Sequence, residues 1–299
     1  MFRLAHITDP HVGPLPRPRL RQLFSKRATG YVNWRRGRKN AHDMDLLAAL
    51  VADLQTQPHD HIACTGDLCN IGLPSEWATS RVFLEALGGP DSVSFVPGNH
   101  DAYVRGSLDG LLAACGAWTT DDDGATGVFP YLRRRGPVAL VGLSSAIPTK
   151  PFVATGRLGP PQIAAARGLL ERLGAEAEPP CRVVMIHHPP HPGGASSGRE
   201  LTDAAAFMAM IAEAGADLIL HGHNHLGSVH FAAGPGGKPV PVVGCTSASA
   251  REGGPNRRAS YYLYTITRNG SGFDIQGRER GLTEAGLIDD RGPLRLTPA

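Results

Sequence analysis

The chain has 299 residues, of which 41% are hydrophobic, so it can bury a sizeable core and is not expected to be disordered. Its 37 glycines and 25 prolines follow no repeat, which excludes a collagen-like chain and favours a loop-rich globular protein. No run approaches the ~18 apolar residues of a membrane-spanning helix. Five scattered cysteines favour a reducing compartment, and a motif by residue 9 leaves no room for a signal peptide. We therefore expect a cytoplasmic protein.

The positive charge is concentrated in one segment near the N-terminus. The formal net charge is +3, yet residues 10–42 contain nine cations and no Asp or Glu, so the remainder of the chain carries −6. We call residues 14–40 the basic segment. Its cations are Arg17, Arg19, Arg21, Lys26, Arg27, Arg35, Arg36, Arg38 and Lys39. The protein is thus mildly acidic apart from this segment, which marks it as a candidate surface for anionic partners.

The predicted elements alternate between strands and helices in the first part of the chain and are mainly strands later. Apolar runs predict strands at 2–8, 61–65, 93–96, 128–132, 138–143 and 182–186, and then at 218–220, 229–232, 240–243, 261–267 and 273–277. Helical spacing predicts helices at 42–55, 75–87, 106–115, 162–173 and 203–214. A basic turn is expected between strands 128–132 and 138–143. This order indicates a two-sheet α/β sandwich, and without a convincing linker we expect one domain over residues 1–299.

Polar residues that can bind metal follow five of these apolar runs. In open α/β sheets ligands bind beyond the carboxyl ends of the strands, so we expect these residues to meet in one place. Imidazoles, carboxylates and an amide oxygen suit Mn, Fe or Zn better than Ca, which prefers oxygen alone. The five motifs are Asp9-Pro-His11, Gly66-Asp67, Gly98-Asn99-His100-Asp101, His187-His188 and Gly222-His223-Asn-His225. The three glycines would let the backbone pass close to the cluster.

The series D-x-H, G-D, G-N-H-D, H and G-H-x-H, from Asp9 to His225, resembles the calcineurin-like metallophosphoesterase superfamily. The resemblance implies a four-layered α/β/β/α sandwich of two mixed sheets and a centre of two metal ions. By the same motifs, one ion would be held by Asp9, His11 and His225, the other by Asn99, His187 and His223, with Asp67 bridging both. His187 is preferred to His188 because the family ligand directly follows the strand. His100 would face the substrate as a proton donor, and Asp101 would orient it.

The resemblance implies a phosphoric ester hydrolase that acts through a metal-bridging hydroxide. We expect a phosphodiesterase for a phospholipid-type or small phosphodiester. A cyclic-nucleotide phosphodiesterase and a phosphomonoesterase are alternatives, and the non-enzyme alternative is an inactive scaffold of the same fold. The presence of every motif residue, including His100, disfavours the scaffold.

The basic segment directly follows D-x-H and is expected to be an insertion that caps the site. Leu20, Leu23 and Phe24 share one helical face, which Tyr31 and Trp34 extend if Gly30 does not interrupt the helix. The segment could contact an anionic membrane through residues 17–39, at the inner face of the membrane, or bind a nucleotide or, less favoured, nucleic acid. It could also be a lid, or a solvated basic face. Candidate substrate contacts are Arg17, Trp34, Arg35, His188 and His191.

Overall fold

Two six-stranded sheets stacked face to face form the centre of the protein. The structure is a computed structural model, and it describes residues 1–251 and 253–298. The first sheet has the strand order β12-β11-β10-β1-β2-β3 and the second β4-β5-β6-β7-β9-β8. The strands are β1 (Phe2–Ile7), β2 (His61–Cys64), β3 (Val93–Phe95), β4 (Tyr131–Arg135), β5 (Val138–Gly142), β6 (Cys181–Met185), β7 (Leu218–His221), β8 (Ser228–Ala233), β9 (Pro239–Gly244), β10 (Ser260–Asn269), β11 (Gly272–Leu282) and β12 (Ile288–Leu294).

Helices cover the outer face of each sheet. The helices are α1 (Arg27–Asn33), α2 (Lys39–Ala41), α3 (Met44–Thr56), α4 (Pro74–Leu87), α5 (Ser107–Cys115), α6 (Pro160–Gly174) and α7 (Ala204–Ala214). Leu50 of α3 and Phe83 of α4 pack on the first sheet, and Leu170 of α6 and Phe207 of α7 pack on the second. A third apolar layer, which includes Leu4, fills the space between the sheets. The predicted four-layered α/β/β/α sandwich is therefore confirmed.

Parallel pairing at the centre of both sheets places the motif-bearing strand ends side by side. Strands β1, β2 and β3 are parallel neighbours in the first sheet. Strands β5, β6, β7 and β9 are parallel neighbours in the second sheet. The antiparallel strands lie towards the edges, where β10 pairs with β1 and β8 pairs with β9. Because parallel strands share one carboxyl end, the loops after them converge.

The prediction of a basic turn between the fourth and fifth strands is wrong. Strand β4 lies later than expected and contains the basic residues, while the turn to β5 is formed at Gly136 and Pro137. Arg133 is only 2% exposed, and its guanidinium donates to the carbonyl oxygens of Thr120, Pro90 and Val93 at 2.7 Å each. These bonds compensate its desolvation, so an arginine is tolerated inside the strand.

Strand β12 and the shape of the basic segment also differ from the expectation. Strand β12 was not predicted, because its sequence IDDRGPL lacks an apolar alternation, and it is formed by pairing with β11. In the basic segment a short 3-10 helix at Leu20–Leu23 is separate from α1, so one continuous apolar face does not form. Leu20 and Phe24 are 81% and 89% exposed.

The described residues contain no helix that is both long and apolar enough to cross a membrane.

We expect buried neutral histidines to make the fold acid-sensitive, and His61 tests this away from the motifs. Burial, together with the charges of Arg135 and Arg133, lowers the pKa of His61 to about 3. Between pH ~6.5 and that value, His61 binds a proton in the unfolded chain but not in the folded chain. As the pH is lowered through this range, the free energy of unfolding therefore falls by up to ~1.4 kcal/mol per pH unit for this group. Denaturant unfolding of wild type and His61→Gln between pH 7 and 4.5 should show a shallower pH dependence in the variant. Equal slopes would contradict it.

Candidate metal centre

The predicted ligands follow strands of both sheets and meet at one point. Asp9 follows β1, Asp67 follows β2 and Asn99 follows β3 in the first sheet. His187 follows β6 and His223 follows β7 in the second sheet. All five side chains belong to buried residues. The sandwich therefore brings polar side chains from two sheets into a single buried cluster.

The backbone is turned sharply at these residues. Left-handed φ angles are uncommon outside glycine, and each costs of order 1–3 kcal/mol unless the surroundings hold it. Among the described non-glycine residues, such angles occur at Asp9 (50°), His11 (41°), Asp67 (56°), Phe152 (65°), His223 (72°) and His225 (51°). Five of these six are predicted ligands. The turns aim the side chains at the cluster rather than along the strands.

Two motif glycines allow the loops to approach each other. A Cβ atom on Gly98 would lie 2.3 Å from Oδ1 of Asp67, and a Cβ atom on Gly222 would lie 2.3 Å from Oδ2 of Asp9. Such contacts are far below van der Waals distance, so only glycine fits here. The expectation that these glycines permit close passage of the backbone is thus supported by the geometry.

Asp9, His11 and His225 form the first group of donors. Nε2 of His225 lies 3.2 Å from Oδ1 of Asp9 and 3.1 Å from Nε2 of His11. Nδ1 of His11 donates to the carbonyl oxygen of Cys69 at 3.1 Å, which turns Nε2 towards the cluster. Oδ2 of Asp9 accepts from the backbone N–H of His223 at 2.9 Å. One oxygen of Asp9 is thus used to fix the carboxylate, and the other faces the histidines.

Asn99, His187 and His223 form the second group. Oδ1 of Asn99 lies 2.8 Å from Nδ1 of His223 and 3.3 Å from Nε2 of His187. Nδ1 of His187 donates to the carbonyl oxygen of Thr65 at 2.7 Å, so its Nε2 points inward. The group therefore offers an amide oxygen and two ring nitrogens.

Asp67 lies between the two groups. Its Oδ2 is 3.8 Å from Nε2 of His11 in the first group and 3.4 Å from Nε2 of His187 in the second. Its Oδ1 accepts from the backbone N–H of His100 at 2.7 Å. Asp67 is consequently the carboxylate that lies within 4 Å of a histidine of each group.

The carboxylate of Asp67 and the neighbouring histidines stabilise each other's charged forms. Burial opposes the charged form of Asp67, but the positive charges of His187 and His100 outweigh it and hold the pKa of Asp67 well below its usual value. Burial likewise opposes the charged form of His187, and the carboxylate of Asp67 outweighs it and raises the pKa of His187 to about 9. A buried carboxylate here therefore requires a neighbouring positive charge, either a proton on a histidine or a cation.

His100 is oriented by a different group from the one expected. Its Nδ1 donates to the carbonyl oxygen of Asn70 in a short hydrogen bond, which places Nε2 on the opposite edge of the ring. The ring stacks on Tyr103 with centroids 5.4 Å apart, and His100 lines the cleft beside the cluster. The carbonyl oxygen of Asn70, rather than Asp101, is therefore the hydrogen-bond partner that orients His100.

Asp101 joins the two loops of the first sheet. Its Oδ2 accepts from the backbone N–H groups of Asp67 at 2.9 Å and Gly98 at 2.8 Å, and its Oδ1 accepts from Cys69 N–H at 3.0 Å. Burial and the nearby charge of Asp67 raise the pKa of Asp101 to about 7. Asp101 thus fixes the backbone on which Asp67 and the Asn99 loop depend.

A cleft of about 780 Å³ opens over the cluster, and the basic segment forms one of its walls. Nζ of Lys26 donates to Oγ1 of Thr149 at 2.6 Å and to the carbonyl oxygen of Val153 at 2.8 Å, which ties the basic segment to the loop after β5. Burial lowers the pKa of Lys26 to about 8. Lys26, Arg36 and Arg199 are the cations among the described lining residues.

The predicted substrate contacts lie elsewhere. His188 is fully buried; its Nε2 donates to the Ala154 carbonyl oxygen and its Nδ1 accepts from the Ser145 hydroxyl, at 3.2 and 2.7 Å. The ring of His191 stacks on His230 at 4.1 Å. Trp34 stacks on Tyr31 and packs beside Tyr103, while Arg17 and Arg35 are exposed. Arg17, Trp34, Arg35, His188 and His191 are all outside the described lining of the cleft.

Sequence reasoning missed several lining residues. His42, which belongs to none of the five motifs, lines the cleft, with its ring centroid 4.6 Å from that of His11. Tyr103 and Arg199 also line it. His42 directly follows the basic segment and directly precedes Asp43, whose side chain caps α3. This position, next to the segment expected to cap the site, was the signal that the sequence offered.

The donor set fits a pair of metal ions. Oδ1 of Asp9 is buried and has no hydrogen-bond partner among the described residues, although Nε2 of His225 lies 3.2 Å from it. Spacings of 3–4 Å between carboxylate oxygens and ring nitrogens are those expected between ligands of one ion with bonds of about 2.0–2.2 Å. The candidate groups found among the described residues are His11, His42 and His225; His11, Asp67 and His100; and Asp67, His187 and His223.

Several solved structures share this fold at low sequence identity. Purple acid phosphatase PPD1 from yellow lupin (Lupinus luteus) seeds has a TM-score of 0.58 at 13% identity, covering 97% of this chain and 52% of that chain. The sulfate thiohydrolase SoxB from Thermus thermophilus has a TM-score of 0.54 at 16% identity, covering 96% and 58%. A 5'-nucleotidase precursor, also from Thermus thermophilus, has a TM-score of 0.52 at 16% identity, covering 97% and 54%. The chain thus spans just over half the length of these proteins.

The sequence comparisons identify the family. No curated protein matches the sequence significantly. The family profile of the calcineurin-like phosphoesterases matches residues 2–227, which include all five motifs. This match covers well over half of the chain. The protein therefore belongs to the calcineurin-like phosphoesterase family.

Proposed function

We propose that the protein is a dinuclear metal-dependent phosphodiesterase. The observation that carries this proposal is the convergence of two donor groups on Asp67, with His100 beside them in an open cleft. The family match and the phosphatase and nucleotidase among the structural neighbours support hydrolysis of a phosphoester.

In this proposal Asp67 is the ligand common to both ions. Asp9, His11 and His225 complete the set for one, and Asn99, His187 and His223 complete the set for the other, as their spacings favour. When bound, such a pair lowers the pKa of coordinated water towards neutrality and neutralises charge on phosphate oxygens. Hydrogen bonds from His11 to the Cys69 carbonyl and from His187 to the Thr65 carbonyl orient the ligands.

His100 is the proposed proton donor to the leaving oxygen. Because the Asn70 carbonyl accepts from Nδ1, a protonated ring offers its second proton from Nε2. Stacking on Tyr103 restricts rotation of the ring. A positioned general acid contributes typically 10²–10⁴-fold, most where the leaving group is a poor one.

The cleft favours a substrate with a group on each side of the phosphorus. Its volume of about 780 Å³ is much larger than a phosphate monoester of a small alcohol needs, and residues of α1 and residues 152–154 line it together with the predicted ligands. The lining of the cleft combines this apolar surface with the cations Lys26, Arg36 and Arg199. Both properties suit an anionic phosphodiester with an apolar substituent.

A phospholipid-type substrate is favoured by the rim of the cleft. Phe24 and Phe152 are 89% and 91% exposed, and the Lys26–Val153 hydrogen bond brings the segments that carry them together. Lys26 lies between these two segments, and the basic segment carries eight further cations. Apolar side chains combined with cations are typical of surfaces that bind anionic membranes. A cyclic nucleotide or a monoester would not need this rim.

The metal assignment predicts that Asp67→Ala removes both ions, since Asp67 is the shared ligand. Purified wild type should hold two transition-metal ions per chain by elemental analysis and hydrolyse bis(p-nitrophenyl) phosphate faster than p-nitrophenyl phosphate. Asp123→Ala, at an exposed aspartate of a surface turn, is the control and should keep both ions. If Asp67→Ala retains two ions, the assignment is wrong; a faster reaction with the monoester would identify a phosphomonoesterase.

The proton-donor role predicts that His100→Ala keeps its metal and loses turnover selectively. We expect ~10²–10⁴-fold lower kcat on alkyl phosphodiesters and a much smaller loss on nitrophenyl esters, whose leaving group needs no proton. His59→Ala, a histidine outside the cleft lining, is the control. An equal loss on both substrates, or loss of bound metal, would contradict the assignment.

The rim predicts binding to anionic vesicles. Phe24→Ser/Phe152→Ser should reduce flotation with phosphatidylglycerol-containing liposomes, because these two highly exposed aromatic side chains no longer enter the interface. Val82→Ser/Leu287→Ser removes side chains that are 62% and 66% exposed but lie outside the cleft lining, and should float like wild type. Flotation that is absent in wild type, or equal in both double variants, would remove the membrane interpretation.

A further inference from the structure

We propose that His42 is an additional ligand of the ion held by Asp9, His11 and His225, and that it fastens the end of the basic segment to the metal centre. This inference rests on the metal assignments proposed above. The five motifs do not include His42, which lies between the basic segment and α3.

The position of the His42 ring is the first observation. One nitrogen atom of each of His11, His42 and His225 lies within 4.8 Å of the corresponding atoms of the other two. The ring centroid of His42 is 4.6 Å from that of His11 and 5.7 Å from that of His225. With bonds of about 2.0–2.1 Å, two imidazole nitrogens on one ion are at most about 4.2 Å apart. Shifts of a few tenths of an ångström therefore bring all three rings onto one ion.

The second observation is that His42 is held as metal-binding histidines are. Its Nδ1 bonds to Oγ of Ser249 at 2.8 Å, which fixes the plane of the ring. A histidine ligand almost always uses its other ring nitrogen in this way. The backbone is also fixed, because His42 bridges to Ala250 and the N–H of Asp43 donates to the Ser249 carbonyl at 2.9 Å.

The loop that holds His42 also holds Asp9. Oγ of Ser247 donates to the carbonyl oxygen of Asp9 at 2.7 Å, and the N–H of Ala248 donates to the carbonyl of Thr8 at 3.0 Å. Residues 247–250 thus fix a predicted ligand and His42 relative to each other. This common support is what a preorganised ligand set requires.

Coordination by His42 would close the basic segment into a loop. The chain enters the segment just after His11 and leaves it at His42, so both ends would be bound to one ion. Closing a loop by a metal bond removes conformational freedom from the chain between the two ligands. Metal binding is therefore expected to order the cleft wall formed by this segment.

The direct test is NMR of the wild-type protein, labelled with ¹⁵N in its histidine rings and loaded with ¹¹³Cd. Scalar coupling between ¹¹³Cd and a ring nitrogen is transmitted through a coordinate bond, so it separates a ligand from a neighbour. We expect coupling at His42 as well as at His11 and His225, with the His42 resonance assigned by its absence in His42→Gln. Coupling at His11 and His225 but not at His42 would overturn this inference alone. No coupling at any histidine would instead overturn the proposed metal centre.

A second measurement tests the link to the basic segment. His42→Gln should bind one of the two ions at least ~10-fold more weakly by calorimetry, a loss seen even when only an outer partner of a ligand is removed. Metal should slow amide exchange of residues 17–41 in wild type and in the control His59→Gln, but not in His42→Gln. The proposal would be contradicted if His42→Gln bound both ions as tightly as wild type and if metal slowed its amide exchange as much as in wild type.

Discussion

The proposed metal centre depends on backbone turns that its predicted ligands would not adopt unaided. Asp9 and Asp67 each follow a buried strand with a left-handed φ, of 50° and 56°. Hydrogen bonds fix both turns: Asp101 accepts from the N–H groups of Asp67, Gly98 and Cys69, and Oγ of Ser247 donates to the carbonyl oxygen of Asp9. Since such a carboxylate fixes two loops at once, the strain is distributed over a network instead of resting on one residue. The core of the sandwich therefore determines where the donors meet.

Charge is the second constraint on this centre. Two carboxylates, those of Asp9 and Asp67, are buried with little solvent to stabilise them. Without a cation nearby, a proton on His187 would compensate this charge, because the carboxylate of Asp67 outweighs the effect of burial and raises the pKa of His187 to about 9. A metal ion bound by His187 would have to displace that proton, so we expect metal binding to depend on pH. The two buried carboxylates therefore favour positive charge at this point of the fold, carried either by protons or by metal ions.

The sequence was sufficient to predict the sandwich and the converging donors because both depend on local patterns. Buried parallel strands are short apolar runs, and each donor follows one closely, as Asp9 follows β1 and His187 follows β6. Strand β12 and the buried Arg133 could not be predicted in this way. Strand β12 forms through pairing with β11, and Arg133 is compensated by carbonyl groups up to 43 residues away in the chain. Long-range partners, not periodicity, decide such elements.

The same reasoning explains why the chemistry of the site was more predictable than its specificity. The donors lie in short motifs, but the cleft wall depends on distant contacts of the basic segment. Arg27 donates to the Ile71 carbonyl, Lys26 reaches Val153 across 127 residues, and a Cβ atom on Gly30 would collide with the Tyr103 hydroxyl. These contacts, rather than one amphipathic helix, position α1 over the donor cluster. We therefore expect the substrate preference to depend on the basic segment, whose contacts lie outside the five motifs.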